Sequence, residues 1–395
     1  MPETQYSVRL LVGAGFVDYL GSGLFLALSA VYFTQHAGLP AWQVGAGLGL
    51  GGSLALLCSA PVGRLADRLG TRRVLVALHL ARAAGTAGYM VVGGWPSFLA
   101  AACLVTVADQ GIVTLTQALA AELAGAGRRE RVMAHYRTVA NLAISAGGLL
   151  GGVLTASGTR DSFQVVLLAN AAAYVVVAAL LLTLRTAPRA SPPDGLEKPS
   201  PPGDLERPSP WRNPRLLTLA GLDTLLQLWQ PVLNLGFPLW LALQEPALRP
   251  WIGPLYAINT VLCVLLQFPA ARLTATPEAA RRRQAAGAVL LAAACLGYWA
   301  GWFAAATVLL TLGELLAVSA AWTLSYALAP AEGRAEHLAV FGMGRSFSRY
   351  VLGPILVTGL LQFLGGPSWA VLAGLFVAAA AATLAWRPPA TWPGG

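Results

Sequence analysis

The sequence predicts an all-α membrane protein, with twelve transmembrane helices in two pseudo-symmetric six-helix bundles. Apolar stretches long enough to cross the hydrocarbon of a bilayer recur along nearly the whole chain. Charged residues make up 11% of the 395 positions and apolar ones 56%, whereas a soluble chain carries about 25% charged residues. A proline-rich segment cuts the apolar pattern in two, and intramembrane acids recur at a constant offset on either side of it. The composition excludes disorder, collagen and a disulfide scaffold.

The expected spans are 9–33, 42–62, 74–93, 96–118, 136–158, 164–184, 214–243, 252–271, 284–301, 304–328, 338–363 and 366–386. With the N-terminus in the cytoplasm, 20 of the 26 basic residues fall in cytoplasmic segments, counting Arg9 and Arg215 at the cytoplasmic edges of their spans, Arg160 and Arg249 fall outside, and Arg82, Arg137, Arg345 and Arg349 lie within spans. The positive-inside rule therefore places both ends in the cytoplasm. The net charge of +9 records this topology and contact with anionic headgroups, not a nucleic-acid partner. The first apolar stretch runs on as a full span without a basic leader region, so it is expected to act as an uncleaved anchor.

Residues 186–212 hold two close copies of one motif, Pro192 to Ser200 and Pro201 to Ser209. Proline at this density blocks helix and sheet, which predicts an extended cytoplasmic linker. It divides the chain into an N-terminal bundle over 1–185 and a C-terminal bundle over 213–395. Asp18 and Asp223 stand 205 positions apart, Asp109 and Glu314 also 205, and Gly147 and Gly353 206. These offsets fit a parallel duplication of six helices about an axis along the membrane normal.

Between the second and third spans the chain reads Gly63-Arg64-Leu65-Ala66-Asp67-Arg68-Leu69-Gly70-Thr71-Arg72-Arg73-Val74-Leu75. This loop resembles the signature of the major facilitator superfamily, G-x-L-A-D-R/K-x-G-R/K-R/K-x-x-L, with Thr71 in place of a usual basic residue. Motif, loop position, span count and central linker extend the resemblance over the whole chain. Gly63 and Gly70 permit a tight turn and close helix approach. The resemblance implies a conformational latch on the cytoplasmic side formed by Gly63, Asp67, Arg68, Gly70 and Arg72. The alternative is that these arginines only anchor topology. The equivalent loop of the second half, from Ala271 to Arg283, keeps its positive charge but lacks the Asp, so any latch is expected to be one-sided.

In the fifth span, Ala143 to Gly152 resembles the superfamily's antiporter motif, G-x-x-x-G-P-x-x-G-G, with Gly148 in place of proline. Gly147, Gly148, Gly151 and Gly152 form a small-residue face on which neighbouring helices can pack closely. Packing alone and an export role both account for it. Gly45, Gly47, Gly49, Gly51 and Gly52 of the second span are read as a smooth surface for the opposing bundle.

Asp18, Asp109, Asp223 and Glu314 carry the chemistry expected of this chain. A carboxylate at a helix centre costs roughly 2.5–3.5 kcal/mol on the insertion scale, so these acids must face protein or water. They fall in spans one, four, seven and ten, the helices that line the central cavity in the fold implied by the resemblance. Asp223, Gln227, Gln230 and Asn234 recur with helical spacing as one polar stripe, as do Asp18, Ser22, Phe25 and Ser29. Such acids can bind and release a proton, with Asp18 and Asp223 as first candidates. Trp229 and Trp322 are candidates for a stacking or cation–π surface in the cavity, whereas Tyr32, Trp240 and Tyr326 lie near span ends, where interfacial anchoring is equally expected. In the superfamily's span-four motif, R-x-x-Q-G, Gln110 and Gly111 match, but Val107 stands at the arginine position. No proton-relay arginine carries over.

Arg345 and Arg349 are read as snorkelling or as pairing with Asp67 or Glu122, with an anionic-substrate site as the alternative. His79 and Arg82 are read as peripheral. The four histidines show no metal-ligand spacing, and Cys58, Cys103, Cys263 and Cys295 all fall within spans, as small buried residues. The sequence contains no GxxxxGK[ST], GxSxG or HExxH motif, and calls for no catalytic residue, metal or cofactor. Its expected partners are a small molecule, protons and the bilayer, and it is expected to be monomeric. The resemblance implies a secondary transporter of a bacterial cell membrane, with proton-coupled efflux of amphipathic neutral or cationic molecules, drugs or natural products, by alternating access. The alternatives are an uptake symporter for a sugar, peptide or organic anion, and a non-transporting receptor or scaffold.

Overall fold

Apolar side chains all round favour helices that satisfy every backbone group internally. In the computed structural model all secondary structure is helical over the described residues, which are 2–26, 29–124, 129–155, 157–184, 209–274, 276–330 and 334–386. The helices of the first half are α1 (Pro2–Leu26), α2 (Ser29–Gln35), α3 (Ala41–Leu69), α4 (Thr71–Gly88), α5 (Trp95–Ala124), α6 (Arg129–Leu154) and α7 (Arg160–Thr183). The second half contains α8 (Pro214–Leu226), α9 (Trp229–Pro231), α10 (Phe237–Gln244), α11 (Ile252–Leu273), α12 (Pro277–Trp299), α13 (Phe303–Leu328), α14 (Arg334–Phe347), α15 (Gly353–Leu364) and α16 (Pro367–Ala385). Of the linker expected at 186–212, residues up to 208 lie outside the described ones, and Pro210–Arg212 form a single 3-10 turn.

Among the described residues, ten helical stretches are long and apolar enough to cross a membrane. The two other expected spans correspond to α6, whose apolar part is Thr138–Leu154, and to α12, which begins with the basic run Arg281-Arg282-Arg283.

Within the first half, α1 packs on α6 and α7, α3 on α5, and α4 on α5 and α7; within the second, α12 packs on α13 and α16, and α14 on α8. Two seams join the halves, α3 against α15 and α6 against α11, and glycine makes both. A Cβ on Gly45 would fall 1.8 Å from Thr358 Oγ1, one on Gly49 2.5 Å from Ile355, and one on Gly52 2.0 Å from the Tyr350 carbonyl oxygen. Gly47 and Gly51, on another face of α3, meet Phe98 and Thr106 of α5 instead. In the α6 motif, Gly147 and Gly151 admit the Leu20 and Leu24 carbonyls of α1, and Gly152 stands against Gly253 of α11.

The seams are stitched at one end of the molecule. The Ala41 amide donates to Gln362 Oε1 at 2.9 Å, and Gln35 Nε2 donates to the Ala242 carbonyl at 3.2 Å. The described protein is therefore closed at the end formed by the last turns of α2, α6, α10 and α15 and the first turns of α3 and α11.

Two helices are interrupted by π turns, at Val232–Gly236 and Ser348–Leu352. A Cβ on Gly353 would lie 2.2 Å from Pro231 Cγ, so the two interrupted helices touch at that glycine. π turns of this kind often mark functional positions in helices.

Gly70 ends α3 with φ +92, a conformation that favours glycine. Gly63 corrects the sequence reading: it lies inside α3, and an added Cβ would meet nothing within 4 Å, so it makes neither a turn nor a close contact.

Candidate functional site

One face of α4 buries His79, Arg82 and Thr86, so its arginine points at protein rather than lipid. The Arg82 guanidinium joins three neighbouring helices. Its Nη1 donates to Asp18 Oδ1 of α1 at 2.9 Å, and its Nη2 stands 2.8 Å from Asp109 Oδ1 of α5. It also lies 4.3 Å from the centre of the Tyr174 ring of α7. Ser22 Oγ accepts from Arg82 Nη2 at 3.3 Å and lies 3.2 Å from the Tyr174 hydroxyl. His79 closes the far side of Asp18, with Nε2 3.9 Å from Oδ2 while Nδ1 is 2.8 Å from the Leu75 carbonyl. Charge-assisted bonds of this kind are the strong ones in a low-dielectric interior. Arg82 is thus central, not peripheral. The sequence signal was available: three ionised groups within spans 1, 3 and 4 cannot each face lipid, and pairing is the least costly arrangement.

A cavity of about 210 Å³ lies against this triad. Arg82, Asp109, Tyr174 and Asn170 line one wall; Gln230, Asn234, Arg349 and Tyr350, from both interrupted helices, line the other. Ser22, Phe25 and Ser29 of the span-one stripe line it as well, whereas Asp18 sits behind Arg82 with 6% of its side chain exposed.

The four acids do not share one wet pocket, which corrects the sequence reading. Only Asp109 lines the cavity. Asp223 is fully buried in a second cluster, accepting from Gln227 Nε2 at 3.0 Å and standing 3.6 Å from Arg345 Nη2. Arg345 lies 5.0 Å from the Trp322 ring centre. Glu314 forms a third cluster, accepting from Asn259 Nδ2 at 3.0 Å and from Cys263 Sγ at 3.7 Å, with no salt bridge among the described residues. Cys263 is therefore a polar partner and not only a small apolar filler.

The stripe of span seven divides for a geometric reason. α8 ends at Leu226, and the π turn at Val232–Gly236 adds residues to a turn, so the helical phase shifts between Gln227 and Asn234. Asp223, bonded to Gln227, faces Arg345, while Gln230 and Asn234 line the cavity. Neither Trp229 nor Trp322 lines the cavity: Trp229 packs beside the main hydrophobic core with its Nε1 lacking a partner, and Trp322 is 51% exposed. Nor do Arg345 and Arg349 simply snorkel, since Arg345 pairs with Asp223 and Arg349 lines the cavity from the middle of the Glu336–Leu364 stretch. Tyr32, expected at an interface, is buried within an aromatic cluster with Phe25 and Phe33.

Around the latch loop, Arg72 Nη1 donates to the Leu184 carbonyl, tying the start of α4 to the end of α7. Asp67 and Arg68 are exposed near the end of α3.

Membrane-length helices around a cavity that presents Arg82, Asp109 and Arg349 define a polytopic membrane protein, and the family match below makes it a transporter and not an enzyme. The chain belongs to the Major Facilitator Superfamily, whose family model matches residues 11–274. It is 24% identical over 170 residues to the uncharacterized MFS-type transporter YttB of Bacillus subtilis (strain 168), a match spanning 43% of this chain and 42% of that relative. Its fold is similar to the nucleoside transporter NupG, with TM-score 0.75 and 16% identity over 96% of this chain and 98% of that one. A bacterial homolog of the human lysosomal transporter Spinster, in an inward-facing and occupied conformation, gives 0.74 and 15% over 98% and 100%. The D-xylose-proton symporter gives 0.72 and 16% over 97% and 98%.

Proposed function

We propose that this protein is a proton-coupled secondary transporter that works by alternating access, with the Arg82 triad as the coupling centre. The observation that carries this reading is the placement of Arg82 between Asp18 and Asp109, with Asp109 on the cavity wall. Together the three side chains hold a net charge of minus one, which a single proton cancels. Moving a charge across the membrane potential is worth about 2.3 kcal/mol per 100 mV, so protonation changes the cost of reorienting the site. Asp109 is the member that the cavity reaches, being 22% exposed where Asp18 is 6%.

In this reading α6 and α12 complete twelve spans, and two bundles meeting at the glycine seams rock about the cavity. Both ends are cytoplasmic, so the stitched end is extracellular and the conformation faces inward. Gly70, Asp67, Arg68 and Arg72 sit where the cytoplasmic end must close. Gly147 and Gly151 hold α6 to α1, and Gly148 and Gly152 face α11 across the seam. The protein acts as a monomer in a bacterial cell membrane.

Export of a cationic molecule would require the cation to displace Arg82 from Asp109, because that guanidinium already occupies the carboxylate. The charge arrangement therefore supports proton coupling more directly than it supports a cationic cargo. The test is substrate-evoked proton movement in proteoliposomes over a broad compound library. Folded protein that moves no proton with any compound overturns the reading.

A further inference from the structure

The cavity holds a second cation beside Arg82, one that makes no salt bridge to the triad. Arg349 lies on the π turn Ser348–Leu352, exposed into the cavity, and makes no salt bridge among the described residues. Its guanidinium stands 5.0 Å from the Tyr350 ring centre. Arg82, by contrast, is saturated by two carboxylates. The Asp109 carboxylate acts on Arg349 only from beyond salt-bridge distance, and a positive charge held mid-membrane without a directly paired carboxylate is expensive unless something else completes its neutralisation; an intramembrane ionisable group by default marks a substrate or ion pathway. On the same wall Gln230 and Asn234 offer amides. Phe25 and Phe33 supply an aromatic floor.

We propose that Arg349 docks the carboxylate of an amphipathic organic anion, which this cavity carries together with a proton. The inference rests on the transport reading above and names its cargo. The charges decide the coupling sign. The empty cavity sums to zero, from minus one on the triad and plus one on Arg349. An anion alone makes it minus one, and a proton alone plus one; the two together restore zero. Each therefore promotes binding of the other, which is the condition for symport. The guanidinium matches a carboxylate with paired donors, the amides of Gln230 and Asn234 line the same wall, and the rings take its apolar body.

The test uses three matched probes on one scaffold: indole-3-acetate, indole-3-acetamide and tryptamine. With purified protein, the acid is expected to bind at least tenfold more tightly than the amide, and the amine most weakly. Arg349→Gln removes the preference of acid over amide, Arg349→Lys keeps part of it, and the exposed Arg282→Gln keeps all of it. In proteoliposomes, uptake of the acid is driven by a pH gradient and does not respond to a potassium–valinomycin potential. A preference for the amine, equal binding of the three probes, or an acid preference that survives Arg349→Gln overturns the proposal. The wild-type ranking stands as a test even where the Gln variant does not fold. Acid-selective binding without flux rejects the transport reading and leaves the anion site standing. Flux of the amine without binding of the acid does the reverse.

Discussion

Arg82 Nη2 stands 2.8 Å from Asp109 Oδ1, while the other amine of the same guanidinium holds Asp18 at 2.9 Å. One cation therefore holds three helices together inside the membrane. Removing one partner of a buried ion pair costs about 3–5 kcal/mol, because the remaining charge stays buried. Arg82→Gln should lower the unfolding temperature sharply, and the double variant Arg82→Gln with Asp18→Asn should recover part of the loss. Thermal melts of the four purified forms check this.

Asp109 is the triad member that faces the cavity, so Asp109→Asn should fix the triad in its neutral state. Substrate exchange is then expected to persist while uphill transport driven by a proton gradient is lost. Comparing counterflow with gradient-driven uptake separates the two. Uphill transport at the wild-type rate would move the coupling site elsewhere, with Glu314 the first alternative.

Buried Asp223 and the partly exposed Arg345 pair away from the cavity. Asp223→Asn and Arg345→Gln should be strongly non-additive in stability, since either alone strands the other group. A double-mutant cycle on unfolding temperature measures that coupling, and additive losses would exclude the pairing.

Glycine substitutions should sort by what a methyl group would meet. Gly63→Ala enters open space within a helix and should stabilise by about 0.5–1 kcal/mol. Gly70→Ala should destabilise by about 1–2 kcal/mol, because the residue sits at φ +92. Gly147→Ala should disrupt the α1–α6 contact, where the new carbon would lie 2.2 Å from the Leu20 carbonyl oxygen. Equal behaviour of Gly63→Ala and Gly147→Ala in melts would contradict this packing.

Outside the membrane, hydrogen bonds from Arg281 and Arg282 hold the Glu278 carboxyl below its usual value of 4.5. A depressed carboxyl favours the folded state above its unfolded value, and that contribution fades as pH falls through the folded one. Glu278→Gln should therefore lower the melting temperature slightly at neutral pH and leave it unchanged in strong acid. The effect is small because the pair is solvent-exposed.

The sequence by itself determined that the chain spans a membrane, that acids sit within its apolar helices, and that glycines mark places of close helix approach. Composition and hydropathy suffice for these, because the bilayer penalises each misplaced charge whatever the neighbours are. Only the tertiary structure decided which charge meets which. Arg82 reaches Asp18 across 64 residues of chain, and Arg345 meets Asp223 although snorkelling was the simpler expectation. A strict 3.6-residue period places Asp223, Gln227, Gln230 and Asn234 on one face, but the end of α8 and the π turn at Val232–Gly236 rotate the last two into the cavity. The partners of a buried charge depend on the phase and packing of several helices at once, and no one helix's sequence contains that information.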